Sequence, residues 1–208
     1  MATDTTGYYL GNPNLKKVGT EIQFTQEQIQ EYLKCKEDPV YFAMNYIKII
    51  SLDEGIVPFK MWDFQQELIE KFHSHRFNIA KLPRQTGKST TCVSYLLHYV
   101  LFNDNVNVGI LANKLSTARD LLGRLQLAYE QLPMWMQQGI VVYNKGSMEL
   151  ENGSKILAAS TSASAVRGMS FNIIFLDEFA FVPNHIAEAF FSSVYPTITV
   201  SYTHLRAH

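Results

Sequence analysis

The sequence predicts an α/β fold: a mostly parallel sheet flanked by helices, with a helical appendage on its N-terminal side. Three observations carry that expectation. From Asp63 onward, apolar segments of strand length alternate with segments of helical period, the pattern of parallel strands joined by crossover helices. The apolar stretch "FNIAKL", 77–82, runs into "PRQTGKST" and then into a helical pattern, which is the strand, turn and helix order of a phosphate-binding loop. Further on, "NIIFLDE", 172–178, is a continuous apolar run closed by two acids, as expected of a strand buried on both faces.

Taken in order, residues 1–20 are polar and broken by Gly7, Gly11, Pro13 and Gly19, and are expected to form a mobile arm. Residues 21–58 read as a helical appendage. Its first helix opens on a capping box, Thr25 and Gln28, and sets Ile29, Tyr32 and Leu33 on one face. A second helix is expected over Pro39–Ile50, carrying Val40, Phe42, Ala43, Tyr46 and Ile47. The domain proper, 59–199, begins with a helix at Asp63–His73, the strand 77–82 and a helix at Lys88–Phe102. A strand at 106–112 and an amphipathic helix at 117–132, stopped by Pro133, come next. Three short strands follow at 140–144, 147–152 and 155–161, with turns at Asn144-Lys145-Gly146 and Asn152-Gly153, before the acidic strand 172–178.

With 47% hydrophobic residues in 208, the chain can bury a sizeable core. No apolar run approaches the ~18 residues of a membrane span, and the N-terminus lacks a signal-peptide core. The expectation is a cytoplasmic protein without a membrane partner. A formal net charge of -1 offers no electrostatic argument for nucleic acid. Cys35 and Cys92 have no CxxC neighbour and read as buried thiols of a reducing compartment. His73 and His75 suit a solvated helix end better than a metal site.

A Gly-Lys-Ser tripeptide is common by chance, so its setting decides. Backbone N–H groups at a helix N-terminus attract anionic oxygens. In the loop Gln85, Thr86, Gly87, Lys88, Ser89, Thr90, Gly87 allows close approach, Lys88 would reach the β- and γ-phosphates of ATP, and Ser89 would ligate Mg²⁺. The plainer alternative makes Ser89 a helix cap. Asp177 would hold Mg²⁺ directly or through water, and Glu178 would orient the attacking water; the alternative is a solvated strand end. Arg84 is placed to bend over the γ-phosphate as an arginine finger in cis, or simply to lie at the surface. Phe64 and Gln65 offer a ring and an amide for adenine, although Phe64 also fits the buried face of a helix. Arg167, beside Gly168, would sense phosphate, touch a neighbouring subunit or DNA, or pair with a local acid; the residues leave these open.

Together these motifs resemble the ATPase domain of the large terminase subunit, the DNA-packaging motor of tailed bacteriophages, nearest the contractile-tailed kind. The resemblance rests on "WDFQ", "RQTGKST", "GILANKLSTARDLLGRL", "NKGSMELENGSKILAAS", "AVRGMSF" and "FLDEFAFVPN", and spans about 13–199. In that family the loop begins with arginine, which accounts for Leu82 where the usual motif has glycine. The resemblance implies a P-loop NTPase of the additional-strand, catalytic-glutamate type, with Lys88 and Ser89 on phosphate and metal, Asp177 as Walker B acid, Glu178 as catalytic carboxylate, Arg84 as cis finger and Gln65 as adenine reader. Lys60 stands where relatives carry a second glutamine. The implied partners are double-stranded DNA, the portal protein, the small terminase subunit and further copies in a ring on the procapsid.

The family continues past Tyr195–Thr199 into a coupling motif and a nuclease domain, and neither is found here. "VSYTHLRAH", 200–208, fits neither the family nor a buried strand and resembles translated sequencing adapter, so a truncated product with a non-native tail is expected, with no nuclease activity. Two other readings share parts of the pattern. A superfamily 2 type helicase has comparable glutamine and Asp-Glu motifs, and a non-catalytic nucleotide-binding scaffold would need the cradle alone.

Overall fold

Thr25 and Gln28 start the first helix as their spacing predicts. Gln28 N donates to Thr25 Oγ1 at 3.2 Å and Thr25 N donates to Gln28 Oε1 at 3.0 Å, each side chain satisfying one donor that the helix leaves free. This helix, α1, runs Gln26–Glu37. The computed structural model describes residues 7–51, 53–161, 169–190 and 192, in two units: Met1–Phe102 with Arg124–Ile140, and Asn103–Gly123 with Val141–His208.

In the first unit Asp38 caps α2 (Pro39–Tyr46), accepting from Val40 N and Tyr41 N. The expected extension of α2 to Ile50 does not occur. Ile47 leaves the helix, and Lys48–Ser51 (β1) pairs antiparallel with Gly55–Pro58 (β2), the β-branched pairs Ile49 with Val57 and Ile50 with Ile56 matching across the ladder. Asp63–Ser74 forms α3 and Lys88–Phe102 forms α4.

The core of this unit is aromatic. Phe42 lies 5.5 Å from both His98 and Phe102, and Tyr32 lies 5.0 Å from Phe102. These contacts join α1, α2 and α4, so the helices expected as an appendage pack against the helix that follows the loop. Cys35, at 0% exposure, accepts a hydrogen bond from His98 Nε2 at its carbonyl, and burial pushes its thiol up to about 12. Ile29 and Leu33, expected on one face with Tyr32, are about half exposed, because α1 docks through Tyr32 and Cys35.

The arm expected to be mobile is anchored over its described part. Leu15 is buried, and buried Gln137 accepts from Lys16 N and donates to the carbonyls of Asn14 and Leu132. Lys17 also makes a parallel bridge with Ile140, where Ile140 N donates to Lys16 O.

The second unit carries the main sheet. Asn107–Ala112 (β3), Ile140–Tyr143 (β4), Ser147–Leu150 (β5), Lys155–Ser160 (β6) and Ile173–Asp177 (β7) lie in the order β4-β5-β6-β3-β7. β3 runs parallel to β6 and β7, whereas β5 and β6 are antiparallel, so the sheet is mixed rather than mostly parallel. The Asn152-Gly153 turn closes the β5–β6 hairpin with Gly153 at φ +79°, a left-handed conformation glycine adopts without strain. Helix α5 covers Leu115–Glu130. Phe171, Leu111, Ala159 and Phe190, the last from a helical segment at 184–190, form the core beneath β3.

Two strand expectations need correction. Residues 77–82 form no strand; Ile79 is 99% exposed and Phe77 is exposed too. The apolar pattern is present there, but no ladder satisfies the backbone, and extended chain without a ladder is not a strand. β7 is partly exposed along its whole length instead of buried on both faces. It is the last strand in the sheet order, paired only with β3 among the described residues.

Candidate functional site

Four residues turn the exposed segment before α4 into a helix start. Gln85 and Gly87 have φ of +63° and +71°, both left-handed, on either side of Thr86. Thr86 Oγ1 donates to Pro83 O at 3.0 Å, closing the turn. Gly87 O accepts from Thr91 N at 3.0 Å, the first hydrogen bond of α4, and from Thr91 Oγ1 at 3.1 Å. Left-handed residues spaced in this way gather successive backbone N–H groups into an anion-binding concavity.

The start of α4 adds to that potential. Gly87 occupies the cap position and has no side chain, so Ser89 is inside the helix and does not cap it. No acid lies in the first turn, leaving the positive end of the helix without a carboxylate of its own. Lys88, Ser89 and Thr90 are half-buried there, and Arg84 and Gln85 are exposed on the loop. A donor set of helix-terminal N–H groups, a lysine and a hydroxyl fits the triphosphate of a nucleotide.

Gln65 sits directly behind this loop, at 4% exposure. Its Oε1 accepts from Trp62 N at 3.0 Å, which caps α3, and its Nε2 donates to Thr86 O at 3.0 Å. The amide expected to be open to adenine is thus engaged at both ends. Phe64 is half-buried, its ring 5.6 Å from that of Trp62, which is itself 61% exposed. Gly87 is pressed onto the same amide: a Cβ there would stand 2.6 Å from Gln65 Nε2. The sequence carried the glutamine but no sign of its acceptor, since Thr86 is 21 residues away.

In the second unit, β7 ends on Asp177, the register partner of Ala112 in β3. Glu178 follows at φ +52° and ψ +33°, left-handed and exposed, and a single 3-10 turn at Phe179–Phe181 comes next. A bulky residue held there costs about 1–3 kcal/mol, so the strand is broken sharply between the two acids. Asp177 is half-buried at the strand end, suited to holding a cation; Glu178 is free of the strand's alternation and suited to contacting water. Arg167 and Gly168 lie outside the described residues, as do Tyr195–Thr199 and the tail at 200–208. Among the described residues no helix is long and apolar enough to cross a membrane.

Comparison with solved structures finds the same fold in the crystal structure of the HK97 bacteriophage large terminase, with a TM-score of 0.61 and 16% sequence identity over 76% of this chain. The match covers 34% of that chain, so the protein spans about a third of the length of the structure it resembles. The family model of the large terminase subunit, T4-like-virus type, N-terminal region, matches residues 79–190, from the segment before the loop through β7 to the helical segment beyond it. The chain therefore belongs to the T4-like-virus-type large terminase subunits, matching their N-terminal region.

Proposed function

We propose that this chain binds and hydrolyses ATP as the ATPase part of a viral motor that packages double-stranded DNA into a procapsid. The observation that carries the reading is the loop itself: left-handed Gln85 and Gly87 lead into a helix whose first turn has no acid, in a chain of the large terminase family. Backbone N–H groups of the loop and Lys88 hold the β- and γ-phosphates, and the loop's shape fixes them before chemistry begins. Ser89 and Asp177 are the residues that would hold Mg²⁺, which when bound neutralises phosphate charge. Glu178 orients water for attack, and Arg84 offsets charge developing on the γ-phosphate.

The host-cell cytoplasm is the proposed location, and DNA, the portal protein, the small terminase subunit and other copies of the chain are the proposed partners. With a net charge of -1, the chain alone should hold duplex DNA weakly, by contacts that salt abolishes.

The test is ATP turnover by Glu178→Gln, read as phosphate release, beside nucleotide affinity. Removing a group that activates water should lower turnover about 100-fold or more, with affinity changed by less than about twofold. Unchanged turnover would remove Glu178 from the mechanism. Wild-type chain that binds ATP without turning it over would instead favour a nucleotide-dependent scaffold.

A further inference from the structure

We infer that Gln65 is a positioning residue that latches the phosphate loop to α3, so that this side chain contributes to phosphate binding through the shape of the loop. The inference rests on the phosphate-site reading above and extends it. Four observations meet at this one amide. It is almost fully buried; its oxygen accepts from Trp62 N; its nitrogen donates to Thr86 O; and Gly87 packs against that nitrogen so closely that a Cβ would displace it.

The geometry explains why the contact matters. Thr86 stands between the two left-handed residues of the loop, and the orientation of its peptide plane decides where the following N–H points. The amide holds the carbonyl side of that plane while Thr86 Oγ1 holds Pro83 O. Near the far end of α3, Tyr95 of α4 donates to Phe72 O at 3.1 Å, so α3 is tied near both of its own ends, to the loop and to α4.

A glutamine amide carries two N–H donors and two acceptor lone pairs, and the two observed hydrogen bonds use one of each. The latch to Thr86 O is therefore a task of its own, compatible with a further contact to a base.

The experiment uses the 208-residue chain, with Mg²⁺, and measures binding of inorganic tripolyphosphate, ATP and GTP by calorimetry. Gln65→Glu keeps the acceptor for Trp62 N, and so the start of α3, but loses the donor to Thr86; Gln65→Met loses both without adding charge. Both variants should bind tripolyphosphate about fivefold more weakly, the loss expected of one neutral hydrogen bond, and both nucleotides more weakly by at least as much. A loss confined to ATP, with tripolyphosphate unaffected, would make Gln65 a base reader and overturn the inference. Unchanged affinity for all three in both variants would overturn it equally, as a latch without consequence. Wild-type chain that fails to bind tripolyphosphate and both nucleotides would instead remove the phosphate site and the latch with it.

Discussion

Replacing Gly87 by Ala probes the loop at its tightest point. The residue has φ +71°, and holding an L-residue in the left-handed region costs about 1–2 kcal/mol. The new Cβ would meet Gln65 Nε2 at 2.6 Å. That amide is buried and held at Trp62 N and Thr86 O, so it gives way only by surrendering the Thr86 bond, at about 1 kcal/mol more. Together these come to about 2–3 kcal/mol against the binding-competent loop, or about 30- to 150-fold in affinity for tripolyphosphate. A double-mutant cycle separates the parts. In a Gln65→Ala background the bond is already lost and the collision is gone, so Gly87→Ala should cost only its backbone share, leaving a coupling of about 1 kcal/mol between the sites. Calorimetric binding gives the four affinities, and urea unfolding checks that each variant folds. Equal cost in both backgrounds would show that Gly87 and Gln65 do not touch, and the account of the loop would fail.

Two further predictions concern acid stability and turnover. Burial holds His98 down at about 4 against an ordinary 6.5, with His73 also opposing its charge; its Nε2 donates to Cys35 O, while its Nδ1 has no partner among the described residues. The unfolded chain takes up a proton near pH 6.5 and the folded one does not, so stability should be level above pH 6.5 and fall by about 3 kcal/mol towards pH 4. Urea unfolding across that range checks it, and a slope just as steep in His98→Gln would acquit the histidine. Arg84→Ala should keep ATP affinity within about threefold and lower turnover by about 1000-fold, the smaller end of what a cis or trans finger contributes; near-normal phosphate release would exclude Arg84 from the reaction.

The elements that were legible in the sequence are those whose evidence is local. The Thr25–Gln28 box, Asp63 at the start of α3, the Asn152-Gly153 hairpin and the apolar run of β3 each formed where expected, because capping, periodicity and turn chemistry act over a few residues. What failed depended on partners far along the chain. Residues 77–82 have the composition of a strand, but composition does not report whether a neighbour is there to complete the ladder; 172–178 did yield β7, paired with β3, and only its expected burial on both faces was missing. The N-terminal arm looked unstructured because its anchor, Gln137, is 121 residues from Lys16. In the candidate site Lys88, Ser89, Asp177 and Glu178 were nameable from motif and position. The commitment of the Gln65 amide was not, since its residue type suits a base and a backbone carbonyl equally well.

The same distinction applies to backbone conformation. In a regular strand consecutive side chains point to opposite faces, so adjacent acids at a strand end would ordinarily be separated by the sheet itself. The left-handed turn at Glu178 ends that alternation one residue after Asp177. Gln85 does the corresponding thing in the loop, reversing the chain ahead of Gly87 so that the helix starts on a bare cap. Neither residue is glycine or asparagine, and both are exposed, so no burial of their own side chains offsets a cost of about 1–3 kcal/mol each. Strain of that size thus falls at both places where the sequence motifs put phosphate and water, and strained backbone of this kind clusters at binding and catalytic sites.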